Sequence, residues 1–147
     1  MTTVLVLVVV GLLIAAVVVI AAIEPGPSTA DVALAYEHAW DRLDFATVWA
    51  LSGQELRDGL DRRAFVRAKR GAYATGAHPA DLVATAAVAD VAEAGDVAAA
   101  ITTLVLHDGS VVHHEVRMGR RMGRWEVTGY TLRPEDEPGR STGPDAV

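Results

Sequence analysis

Residues 82–132 read LVATAAVADVAEAGDVAAAITTLVLHDGSVVHHEVRMGRRMGRWEVTGYTL, and this stretch decides the fold. Three glycine-containing connectors cut it into segments of apolar or alternating residues, 82–91, 97–107, 111–118 and 125–132. Such segments have the length and texture of β-strands. The connectors are Ala92-Glu-Ala-Gly-Asp96, His107-Asp-Gly-Ser110 and Gly119-Arg-Arg-Met-Gly123, and Asp108-Gly109 is a hairpin signal. Links this short join only antiparallel neighbours, so the segments predict a four-stranded meander. The first two segments are apolar on both faces but built from small residues. The third alternates, with Val112, His114, Val116 and Met118 on one side and His113, Glu115 and Arg117 on the other. His113 and His114 therefore point to opposite faces and cannot share a metal ion.

Upstream the period is helical. Ser28-Thr-Ala-Asp31 matches a capping box and predicts a helix over 29–43, with Ala33, Tyr36, Trp40 and Leu43 as its apolar stripe. Glu37, His38, Asp41 and Arg42 are placed on its wet side. Asp44 reads as the N-cap of a second helix carrying Phe45, Val48, Trp49 and Leu51. After a loop at Ser52-Gly53, a third helix is expected over 61–73, with Phe65, Ala68 and Ala72 facing inward. Helices followed by an antiparallel sheet define an α+β domain with the helices on one sheet face.

The N-terminal end differs from the rest. Residues 4–23, VLVLVVVGLLIAAVVVIAAI, hold 20 residues without a charge. As a helix they would span about 30 Å, the hydrocarbon thickness of a bilayer. Only Met1, Thr2 and Thr3 precede the run, so the basic flank of a cleaved signal peptide is missing. The reading is an anchor over 1–23, a stiff Pro-Gly-Pro linker over 24–29, a domain over 30–132, and a polar, proline-rich tail over 133–147 with the composition of disorder. The membrane lipid is then a partner through residues 4–23. Acidic residues dominate the near flank, with Glu24, Asp31 and Glu37 and no basic residue before Arg42, which predicts an extracytoplasmic domain on a single-pass cell-membrane protein.

One stretch carries a family resemblance. Ala35-Tyr-Glu-His-Ala-Trp-Asp-Arg-Leu-Asp-Phe-Ala-Thr-Val-Trp-Ala-Leu-Ser52 resembles the opening of NTF2-like domains, where a first helix ends in an acidic-aromatic step and a second carries an aromatic and a Leu-Ser. Leu60-Asp-Arg-Arg-Ala-Phe65 resembles their third helix, and the meander continues the likeness over about residues 30–132. The resemblance implies a curved sheet wrapped into a cone with a pocket at its open end. It also implies a choice among isomerases, dehydratases, ligand binders and domains without a known ligand. The isomerase members use an acidic base with Tyr and a second acid as oxyanion donors, a triad not mapped onto this chain.

The chain of 147 residues is 51% hydrophobic but only 5% aromatic, so its core draws heavily on Ala and Val. A formal charge of −6 disfavours binding to nucleic acid, which needs a basic surface. Without Cys, thiolate metal sites and Cys nucleophiles are excluded. Two basic clusters stand out. Between Arg57 and Arg70 lie six basic residues against two acidic ones, with Arg63, Arg67 and Arg70 on one helix face; Arg117, Arg120, Arg121 and Arg124 flank the last connector. Such a face suits anionic lipid headgroups or another envelope protein, although solvated basic helix faces are common. Tyr36, Trp40, His114 and Trp125 are the candidate pocket residues, His114 because Val112 and Val116 beside it mark the inward face. Aromatic residues at this spacing are more often plain core. No motif predicts a catalytic residue, a cofactor or a metal.

The leading expectation is therefore a membrane-anchored, non-catalytic accessory or protein-interaction module. The alternatives are a small-molecule binder using the cone pocket and an isomerase- or hydratase-type enzyme. A homodimer through the outer sheet face would be ordinary for the fold.

Overall fold

The computed structural model describes residues 26–74 and 79–133. The run 4–23 and the tail lie outside the described residues. Among the described residues, no helix is long and apolar enough to cross a membrane.

Helix α1 spans Thr29–Asp41. Its capping box is complete: Asp31 N–H donates to Ser28 Oγ at 3.1 Å and Ser28 N–H to Asp31 Oδ2 at 3.2 Å. The helix stops two residues before the expected end because Leu43 adopts a left-handed conformation, φ 52°. Leu43 N–H then reaches Trp40 O at 3.0 Å and Asp44 N–H reaches Ala39 O at 2.8 Å, the bonds of a Schellman closure. Glycine usually fills that position, since a side chain there costs about 1–2 kcal/mol. Asp44 caps helix α2, Phe45–Leu51, and Asp61 caps helix α3, Arg62–Tyr73, through Thr47 and Ala64 N–H at 3.2 and 2.8 Å. A 3-10 turn, Gln54–Leu56, lies between them.

The expectation for the inner stripe of α3 is corrected. Phe65 is buried, but Ala68 and Ala72 are exposed, and Ala64, Val66, Lys69 and Tyr73 are the partly buried residues. The helix packs through its i, i+4, i+8 row rather than the i, i+3, i+7 row.

The sheet is an open antiparallel meander in the order β1-β2-β3-β4, with β1 Val83–Ala94, β2 Val97–Leu106, β3 Val111–Arg121 and β4 Arg124–Arg133. Strands β1, β3 and β4 run longer than predicted because the connectors between strands tighten. Gly95, with φ 62°, turns β1 into β2, and Met122 and Gly123, with φ 48° and 77°, turn β3 into β4. Consecutive positive φ values give the turn whose twist matches paired strands. On the inner face, Ala98, Ala100, Thr102 and Leu104 of β2 lie beside Met118, Val116, His114 and Val112 of β3. α1 packs across this face with Val32, Ala33, Tyr36 and Ala39 buried against it.

A bulge sets the face of β4. Val116 pairs with Tyr130 and Met118 with Val127, which leaves Thr128 as an extra residue. Residues two apart on β3 thus oppose residues three apart on β4. Without the bulge, the inward set beginning at Trp125 and Val127 would continue through Gly129. With it, Tyr130 joins the inner face.

Candidate functional site

α1 carries Glu37 over the centre of that face. The charge placed it on the wet side, yet it is 2% exposed. Helix geometry explains the correction: Glu37 lies one turn after Ala33 and three residues before Trp40, both on the packed side. Asp41, also assigned to the wet side, is partly buried, and its Oδ1 accepts the N–H groups of Leu82 and Val83 at 2.8 and 3.0 Å, pinning the start of β1. His38 and Arg42 are exposed as expected.

The Glu37 carboxylate is satisfied by three elements of the sheet. Thr102 Oγ1 donates to Oε1 at 2.5 Å. Tyr130 Oη donates to Oε2 at 2.6 Å. His114 Nδ1 lies 3.1 and 3.2 Å from the two oxygens and 2.7 Å from Tyr130 Oη. An ionised carboxylate only accepts, so each neighbour must bring the proton. The single Tyr130 proton goes to Glu37, and therefore Nδ1–H of His114 points into the cluster. A neutral imidazole held this way presents Nε2 as an acceptor. Burial first, and then the negative charge of Glu37, push the Tyr130 phenol far above its ordinary range, so it remains a donor. Burial also raises Tyr36, whose hydroxyl lies 3.3 Å from Ser52 Oγ.

This cluster floors a cavity of about 340 Å³. Its walls are mainly apolar, from Trp40, Leu43, Tyr73, Leu82, Leu104, Leu106 and Val112, with Glu37, Asp41, His114 and Tyr130 as the polar groups. That size and composition fall in the range of small-molecule sites. Trp40 stacks nearly parallel to Tyr130, with ring centroids 6.5 Å apart. Among the described residues its buried indole N–H completes no hydrogen bond, although it lies near enough to the Tyr36 hydroxyl to favour the ionised phenol slightly. Leu43, the residue in the left-handed conformation, forms part of the wall. Backbone strain of this kind concentrates where a site needs a side chain in one place.

Of the predicted pocket residues, Trp40 and His114 line this cavity. Tyr36 is buried just beneath, edge-on to both Trp40 and Tyr130. Trp125 does not join them. It pairs with Arg120 beside the β3–β4 turn, stacks under that guanidinium at 4.6 Å, and borders a separate depression with Gly26 and Ser28. Sequence reasoning missed Glu37, Thr102 and Tyr130. The signals were the helical position of Glu37 and a glycine inside β4, which marks a bulge.

Arg63, Arg67 and Arg70 do converge. With Arg62, Val66 and Ala46 they border a surface depression of about 590 Å³, and none of the four arginines makes an ion pair among the described residues. Lys69 turns away, over the Phe65 ring and 3.6 Å from Asp58. Among the described residues, no three His, Asp or Glu side chains gather as a metal site. No protein-family model, curated protein or solved structure matches the chain.

Proposed function

We propose that this chain is a membrane-tethered, NTF2-like module that binds a small, largely apolar molecule. The observation that carries the reading is the buried Glu37–His114–Tyr130 cluster at the floor of an apolar-walled cavity of about 340 Å³. A burdened polar cluster of this kind is costly to bury, and a ligand-binding role gives it a use. A purely structural accessory domain would be expected to fill the cone with its own side chains. The ligand that fits is apolar over most of its surface and carries one hydroxyl or similar donor for His114 Nε2. The three-helix order and antiparallel meander support the NTF2-like resemblance. The run 4–23 supports the tether, and the acidic flank supports an extracytoplasmic domain.

The test uses the full chain in nanodiscs, with organic extraction and mass spectrometry of what it retains. Val112→Trp would fill the cavity from β3. We expect the wild type to hold a small molecule that the filled variant loses while keeping its melting temperature. Equal extracts from both proteins would overturn the reading.

A second reading rests on the carboxylate-held imidazole, which is an arrangement suited to general-base catalysis. In it, His114 Nε2 takes a proton from the bound molecule and Glu37 stabilises the imidazolium. The check is exchange of a ligand C–H in heavy water, which His114→Gln should stop without releasing the ligand. Equal exchange in both proteins would refute it.

A further inference from the structure

The other end of the domain bears on how it sits against a membrane. The described chain begins at Gly26, three residues after the apolar run ends at Ile23. Gly26 lies against the β3–β4 turn: a Cβ built on it would be 3.9 Å from the Gly123 carbonyl oxygen. The turn therefore stands beside the first described residue of the chain. At its tip Met122 is 93% exposed. Met122 also holds φ 48°, at a position where Asn, Asp or Gly is the ordinary choice. A large apolar side chain is thus displayed from a backbone conformation that disfavours it. Arg120 and Arg124 flank it. Arg121 is committed to Glu55 and Glu126, and Arg120 keeps its guanidinium over Trp125, while Arg124 has no ion pair among the described residues. Asp31 and Glu93 border the same depression, but each already accepts a hydroxyl proton, from Ser28 and Thr29 respectively.

We propose that the Met122 turn is a membrane-interface contact, seated in the anionic headgroup layer of the bilayer that holds residues 4–23. This rests on the anchor reading made above. The apolar tip enters the interface and Arg120 and Arg124 meet the phosphates beside it. The consequence is orientation. The turn lies at the N-terminal end of α1 and the cavity at its C-terminal end, where Trp40, Asp41 and Leu43 line it. Thirteen residues of helix separate the two by about 20 Å. Docking the turn holds the cavity mouth, with exposed Pro79 and Leu82 on its rim, away from the bilayer and open to water.

The chain has no Cys, so one introduced thiol labels one place. Full-length Met122→Cys and Leu132→Cys, each carrying an environment-sensitive dye, are reconstituted into phosphatidylcholine vesicles with and without phosphatidylglycerol. We expect the dye at 122 to shift to the blue, to be quenched by headgroup-level spin-labelled lipid, and to lose iodide access several-fold more than the dye at 132. Adding Arg120→Ser and Arg124→Ser should remove the dependence on phosphatidylglycerol. Vesicle flotation separates the two ideas. A chain that floats with a water-exposed dye at 122 overturns the turn contact and leaves the anchor standing. A chain that does not float overturns both.

Discussion

The inner face of the sheet has two ends built from the same strands. Towards the β3–β4 turn, Ala98, Met118 and Val127, and next Ala100 and Val116, are buried against Val32 and Ala33 of α1. Two rungs further, Thr102 lies beside His114, and a glutamate comes down from the helix to meet them. The first end is filled by side chains with nothing left to satisfy. The second encloses a carboxylate, an imidazole, two hydroxyls and a cavity. Uniform packing would have placed apolar residues at both. The difference shows where this small domain has given up hydrophobic burial.

The largest effect should come from breaking the filled end. Met118 is 1% exposed, and Met118→Ala should cost about 2–5 kcal/mol by leaving a void. Chemical denaturation would measure the loss, while the NMR signals of His114 stay where they are. Moved His114 signals would mean that the two ends are one cooperative unit.

Glu37→Gln acts on the other end. It should cost about 1–3 kcal/mol, since an amide cannot accept from all three donors. It also frees the His114 tautomer, so the Nδ1–H resonance should disappear and the retained ligand should weaken. A variant as stable as wild type with an unchanged His114 spectrum would show that the carboxylate holds nothing in place.

Tyr130→Phe is expected to cost about 1 kcal/mol at neutral pH. Its sharper mark is in alkali. The folded state raises the phenol above its unfolded value of about 10. That preference for the neutral form contributes fully below about pH 10 and is lost as pH rises beyond it. Wild type should therefore destabilise above about pH 10 more steeply than Tyr130→Phe, although Tyr36, raised in the same direction, keeps part of the slope in the variant. Melting curves across that range would decide it.

The two ends differed in how plainly the sequence announced them. Strand number, antiparallel order, the caps of the first two helices and the inward side of β3 followed from periodicity and turn chemistry, which are local. The basic row Arg63, Arg67 and Arg70 followed from helical spacing. The polar end did not. The charge of Glu37 points to the wet side, although its position one turn from Ala33 places it inside. Tyr130 reaches the site only through the bulge at Thr128, and Thr102 looked like one more small residue in an apolar strand. A buried polar cluster is made by partners distant in sequence, from residue 37 to residue 130, and each looks ordinary until the others are beside it. The chemistry of Trp125 points to the pocket, whereas register holds it at the opposite end.

The smallest expected effect on stability falls on Leu43, and it separates fold from site most cleanly. Leu43→Gly would relieve about 1–2 kcal/mol of left-handed strain. Against this stand about 0.5–1 kcal/mol of extra chain entropy for glycine and about 1 kcal/mol of lost burial for a partly buried leucine. These nearly cancel, so the melting temperature should hardly move. The cavity wall, however, loses a whole side chain. If the cavity is where the ligand sits, retention should fall several-fold in a protein as stable as the wild type. If the Schellman closure alone explains Leu43, glycine should stabilise the chain and leave retention unchanged.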